Sequence, residues 1–145
     1  MKAYYERLTG DDELARMVAA KYWSAWEGSC SKLRPSPEAL ASFTKPQNAL
    51  SLARLEIHYF MNKGFIEENH ILDNMQLIRD IPSRIVHGRY DMVCPLENVL
   101  ALHRQWPEAE LHIVRESGHS ASEPGTGDAL IRATQDIAKK LEAFD

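Results

Sequence analysis

The chain has little cysteine. Its two, Cys30 and Cys94, lie 64 positions apart, which excludes a small disulfide-stapled scaffold and the short Cys/His spacings of a zinc site. Long hydrophobic runs are missing too. No stretch nears the roughly 18 apolar residues that a membrane-spanning helix needs. The opening MKAYYERLTGDDEL lacks the apolar segment of a secretory signal, so no cleaved leader is expected. There is no run of Lys or Arg, and with a net charge of −4 no nucleic-acid face is expected. No glycine-rich phosphate cradle, internal repeat or low-complexity tract occurs. What is present is an ordinary globular mixture, 44% hydrophobic and 26% charged over 145 residues. That is enough for one domain or a piece of one, soluble and cytoplasmic.

The first half reads as helices. Thr9 is placed to cap a helix running to about Glu27, with Asp11, Asp12 and Glu13 in its first turn and Gly28 at its end. Leu14, Met17, Val18, Tyr22, Ala25 and Trp26 follow the 3-4 spacing of one buried face. The segment SCSKLRPSPEALASFTKPQ carries Pro35, Pro37 and Pro46 and reads as a loop with at most one short helix. Asn48 opens a helix through about Asn62, stopped by Gly64. Leu50, Ala53, Ile57 and Met61 share one face, and Leu52, Leu55 and Tyr59 add apolar surface, so burial on several sides is expected. A third short helical stretch covers Asn69 to Leu77.

The pattern changes at Ile81-Pro82. SRIVHG, bounded by Pro82 and Gly88, has the β-branched content of a strand. Pro95 to Trp106 has helical spacing, AELHIVRE is a second strand, and Asp128 to Phe144 is an amphipathic helix with Leu130, Thr134, Ile137, Leu141 and Phe144 in register. Strand, helix, strand, helix implies a parallel pair joined by a crossover. The organisation is therefore a helical subdomain at about 1–80 and a β-α-β-α unit at about 81–145.

Ligands of open α/β sheets bind beyond the carboxyl ends of the strands. Asp91 follows the first strand and His119 the second. Adjacent strands lie about 4.8 Å apart, which brings both side chains within hydrogen-bonding reach. A carboxylate so placed holds an imidazole in one tautomer while the other ring nitrogen handles a proton. Gly118 gives the backbone freedom to turn His119 toward the site. Taken singly, an acid after a strand is a turn former and a histidine a polar filler; the ordered pair is what points to chemistry. The order Ser, Asp, His belongs to α/β-hydrolases, whose serine sits in a G-x-S-x-G elbow. This chain has no such motif, since Ser29 directly follows Gly28, and Ser120 lies on the wrong side of Asp91.

IVHGRYDMVCP, QWPEAELHIV and SGHSASEPG together resemble the C-terminal portion of the proline iminopeptidases (prolyl aminopeptidases), serine peptidases of the α/β-hydrolase fold. AAKYWSAWEGSCSKL and LARLEIHYFMNKGFI resemble the helical lid of that family. The resemblance implies release of an N-terminal proline from peptides through an acyl-enzyme, with no metal or organic cofactor. It makes Asp91 the triad acid, His119 the general base, and Glu27 and Glu56 the lid carboxylates that hold the substrate's ammonium. Taking that cation out of water requires compensating negative charge. Cys94 matches a thiol beside the acid that confers sensitivity to thiol reagents. Trp23 and Trp26 flank Glu27 as pocket walls or as packing. Without a serine the pair has nothing to activate, so the chain is expected to be a fragment, inactive alone, that needs a complementing N-terminal half or self-associates. Other expectations the pattern allows are a different lidded hydrolase (an esterase or epoxide hydrolase) and a non-catalytic interaction module.

Overall fold

The computed structural model describes residues 1–142; the expected apolar position Phe144 lies outside them. The chain divides into two compact units, one of residues 1–29 and 34–68, the other of residues 30–33 and 69 onward.

The first unit is helical: α1 (Lys2–Thr9), α2 (Glu13–Cys30), α3 (Pro37–Phe43) and α4 (Pro46–Met61), followed by a 3₁₀ turn (Lys63–Phe65). Thr9 does not cap α2. It ends α1, its hydroxyl donating to the carbonyl of Tyr5, and Asp12 takes the capping role, accepting from the backbone N–H of Ala15 at 3.0 Å. The short helix expected in the proline-rich segment is α3, with Pro37 at its start and the Ser36 hydroxyl accepting from Ala39 N–H. Helix α4 begins at Pro46, two residues before the expected start.

The buried face of α2 is not the one its large residues mark. Leu14 is 76% exposed and Trp26 60%, and Val18 and Tyr22 also face outward. The core instead joins Leu8 of α1, Ala19, Ala20 and Trp23 of α2, and Ala49, Ala53 and Ile57 of α4. The Ser24 hydroxyl donates to the carbonyl of Ala49, linking α2 to α4. Gly28 sits inside α2 and does not end it; a Cβ there would stand 2.9 Å from the Phe43 ring. Burial of Leu8, Trp23 and Ile57 contributes about 1.5–3 kcal/mol each. On α4, Leu55 and Tyr59 are exposed, so this helix is buried on one side and not on several.

The second unit holds α5 (His70–Asp73), a 3₁₀ turn (Met75–Leu77), β1 (Arg84–Gly88), α6 (Leu96–Gln105), β2 (Glu110–Val114) and α7 (Pro124–Glu142). Strands β1 and β2 pair in parallel, in register from Arg84 against Glu110 to Gly88 against Val114, as the strand-helix-strand-helix reading requires. Helix α7 packs on both strands, and again small residues make the contact. Thr126 and Ala129 are its buried positions, while Leu130 and Leu141 of the expected stripe are exposed. A Cβ on Gly125 would meet the Val114 side chain at 2.9 Å. Ion pairs tie helix to sheet: Glu110 accepts from Lys140 at 2.7 Å and from Arg84, which also faces Asp136 at 3.5 Å. Among the described residues no helix is long and apolar enough to cross a membrane.

Candidate active site

Past the paired strands the chain stays laced. Arg89 N–H donates to the Val114 carbonyl and Tyr90 N–H to the Ser117 carbonyl, both at 2.9 Å. The turn after β1 and the turn after β2 therefore leave the sheet as one layer. Gly88, 0 residues from the strand end, is the point of closest approach, with a Cβ there falling 1.9 Å from the Gly118 carbonyl oxygen.

Asp91 follows and is buried. Its Oδ1 accepts from the backbone N–H groups of Val93 at 3.0 Å and Cys94 at 2.8 Å. Its Oδ2 lies 3.0 Å from Nδ1 of His119, 28 residues further on. An ionised carboxylate only accepts, so Nδ1 carries the proton and Nε2 is left as the basic nitrogen. The His119 side chain is 38% exposed, the Asp91 side chain 4%. The acid is thus held inside and the base presented outward. The structure brings this expected pair together.

The loop bearing His119 is clasped by a residue the sequence reading passed over. Glu123 accepts through Oε2 from the Ser117 hydroxyl at 3.0 Å and from Gly118 N–H at 2.6 Å, and through Oε1 from Leu33 N–H at 3.0 Å. Ser117 is fully buried and its hydroxyl also pairs with that of Thr126 at 2.6 Å. Gly118 does not adopt a positive φ, as Gly64 does. Its need for glycine is space: a Cβ would meet Leu33 N at 2.9 Å. Glu123 lies four residues after His119 in ESGHSASEPG; two of its donors, Ser117 and Gly118, are local, and the return of residues 30–33 to this loop supplies the third. His87 was also passed over; its Nε2 lies 3.0 Å from the Cys94 carbonyl oxygen and 3.6 Å from Asp91 Oδ2. Cys94 is exposed and forms no disulfide, and its main chain contacts both Asp91 and His87.

The two expected lid carboxylates belong to the helical unit. Glu27 is buried on α2. Glu56 on α4 is half-buried, and its Oε2 accepts from the indole N–H of Trp23 at 2.5 Å. Trp23, one turn before Glu27, is itself buried and meets Tyr4 edge-on at 5.2 Å between ring centres. A buried indole N–H needs such an acceptor, so the carboxylate is held by one oxygen. Trp26, by contrast, faces outward. Among the described residues no group of three or more His, Cys, Asp or Glu is arranged to hold a metal ion.

No protein-family model matches the chain. Curated proteins do. The proline iminopeptidase of Xanthomonas citri is 50% identical over 139 residues, 95% of this chain and 44% of its own length. The proline iminopeptidase of Arabidopsis thaliana is 45% identical over 134 residues, covering 92% and 35%, and that of Neisseria gonorrhoeae is 39% identical over 145 residues, covering 97% and 44%. Among solved structures, an esterase from Exiguobacterium antarcticum superposes with a TM-score of 0.59 at 19% identity, covering 94% of this chain and 47% of its own, a likeness of fold alone. The chain spans less than half the length of the curated relatives it matches. Over that span it is a homologue of the C-terminal portion of the proteins named proline iminopeptidase, on an α/β-hydrolase fold.

Proposed function

We propose that this chain carries the acid, the base and the substrate-binding lid of a serine-type prolyl aminopeptidase. The observation that carries the reading is the 3.0 Å contact of Asp91 Oδ2 with His119 Nδ1 at the tips of adjacent parallel strands, in a homologue of proteins named for that activity. In this reading His119 Nε2 takes the proton of a serine hydroxyl as it attacks the prolyl carbonyl, then returns it to the departing amine. Asp91 holds the ring and stabilises its charged form. Residues 1–80 act as the lid and 81–145 as the catalytic base layer. Glu27 and Glu56 pair with the terminal ammonium of the substrate, so that a blocked or internal proline is refused. The thiol of Cys94 stands beside the acid as the group that reagents would reach. The setting proposed is cytoplasmic, on the globular composition alone.

The serine is proposed to come from sequence outside these 145 residues, in a complementing N-terminal half; self-association of this chain would cover apolar surface without supplying that serine. Exposed Leu14, Tyr22 and Trp26 on α2 and Ile131 and Leu141 on α7 support a covering partner, since large apolar residues in such number usually face one. The test is to assay the chain on proline-naphthylamide, alone and mixed with the N-terminal part of the Xanthomonas citri relative. The expected result is no turnover alone, turnover on mixing, and loss of it with His119→Ala. Turnover by the chain alone that His119→Ala abolishes would show that no second part is needed. Activity on a neutral ester retained in a Glu27→Gln mixture that no longer cleaves the proline substrate is the expected sign that the lid selects the ammonium.

A further inference from the structure

We propose that His87 is a positioning residue: it fixes the turn that carries Asp91 and thereby the tautomer of His119. The inference rests on the Asp91–His119 pair acting as a proton-handling unit, and adds a second imidazole to it.

His87 is the fourth residue of β1, and its side chain is 15% exposed. Its Nε2 lies 3.0 Å from the carbonyl oxygen of Cys94. A carbonyl oxygen can only accept, so Nε2 carries the hydrogen and the tautomer of His87 is set by its partner. The same nitrogen is 3.6 Å from Asp91 Oδ2. That is too long for a hydrogen bond, so His87 acts on the acid through the Cys94 carbonyl.

Residue 94 is therefore held at both of its main-chain polar atoms. Its N–H donates to Asp91 Oδ1 at 2.8 Å, and its carbonyl accepts from His87. The first bond closes the 91–94 turn on itself; the second pins the closed turn to the strand. Asp91 Oδ1 is committed to Val93 and Cys94, which leaves Oδ2 alone to face His119. If the turn lifts from β1, Oδ2 moves with it, and the hydrogen bond to Nδ1, already at 3.0 Å, lengthens. A hydrogen bond weakens steeply once lengthened or bent. His119 is then free to place its proton on either nitrogen.

The test reads tautomers directly in the 145-residue chain, through long-range proton–nitrogen correlations of the imidazoles at mildly alkaline pH. In the wild type, His87 is expected as the Nε2–H form and His119 as the Nδ1–H form with a low-field Nδ1 proton. His87→Phe keeps a ring of similar size but removes the donor; it is expected to lose that low-field proton and shift His119 toward a mixture of tautomers. His87→Gln restores a donor at the same reach and is expected to restore the wild-type pattern. A His87→Phe chain with His119 unchanged overturns the positioning role, as does a wild-type His87 protonated on Nδ1 alone, which needs no variant to fold. A wild-type His119 with no Nδ1–H preference instead overturns the acid–base pair itself.

Discussion

A Cβ placed on Gly88 would stand 1.9 Å from the carbonyl oxygen of Gly118 and 2.7 Å from that of Ser117. The strand end that leads to the acid and the turn that leads to the histidine thus touch backbone to backbone. No side-chain rotation relieves such a contact. Gly88→Ala is expected to cost about 3 kcal/mol, the upper end for overpacking, or to part the two turns. A urea titration measures the first effect, and loss of the Asp91–His119 hydrogen-bonded proton the second. A variant with wild-type stability and an intact pair contradicts the close contact.

Asp91 accepts two backbone N–H groups besides facing His119. Asp91→Ala removes the charged acceptor of both N–H groups and is expected to lower stability by about 1–3 kcal/mol, hydrogen bonds to a charged group being worth more than neutral ones. Asp91→Asn, which keeps an acceptor oxygen, is expected to lose less. Chemical denaturation of the two variants side by side checks the order; equal losses would mean that the N–H acceptor role is minor.

Much of this architecture was legible in the sequence. The β-branched run before Gly88, the alternation of strand and helix after residue 81, and an acid and a histidine each just past a strand are local signals, and the parallel pairing places them together. The buried face of α2 was not legible. Periodicity reads large apolar residues, whereas Ala19, Ala20 and Ser24 make the contact and leave Leu14 and Trp26 outside. Apart from Trp23, that face is built of small residues, which leave no hydrophobic stripe for periodicity to read. His87 and Glu123 were missed for a different reason. Each is an ordinary polar residue in sequence: the partners of His87 are local but meet it only through the turn geometry at 91–94, and Leu33 reaches Glu123 only through the fold.

Glu123 gathers three donors, from Ser117, Gly118 and Leu33. Glu123→Ala is expected to cost about 2–3 kcal/mol, since hydrogen bonds to a charged acceptor are worth more than neutral ones. Glu123→Gln is expected to recover part of the loss, because the amide can accept through one atom only. Thermal melts rank the three proteins, and protection of the Gly118 and Leu33 amides from exchange should fall in the same order. Unchanged protection in Glu123→Ala contradicts the clasp.

The carboxyl of Glu110 is held below the ordinary carboxylate range, first by the hydrogen bond from Lys140 and then by the charges of Arg84 and Lys140, with some opposing desolvation. A carboxyl lowered in the folded state contributes stability at neutral pH and loses it as pH falls through the lowered value. Glu110→Gln is therefore expected to lower Tm slightly at neutral pH, with the gap to wild type closing in acid and shrinking in high salt because the pairs are exposed. A gap that persists at low pH would point to packing of the side chain and not to its charge.

The bond from Leu33 to Glu123 spans 90 positions, and so it closes a long loop whose chain entropy must be spent before the contact returns anything. The β1–β2 pair, joined by one short helix, closes a much shorter loop. The Leu33 bond to the histidine turn is therefore expected to form late. Substitutions at Glu123 accordingly belong to the class that speeds unfolding while leaving the folding rate nearly untouched.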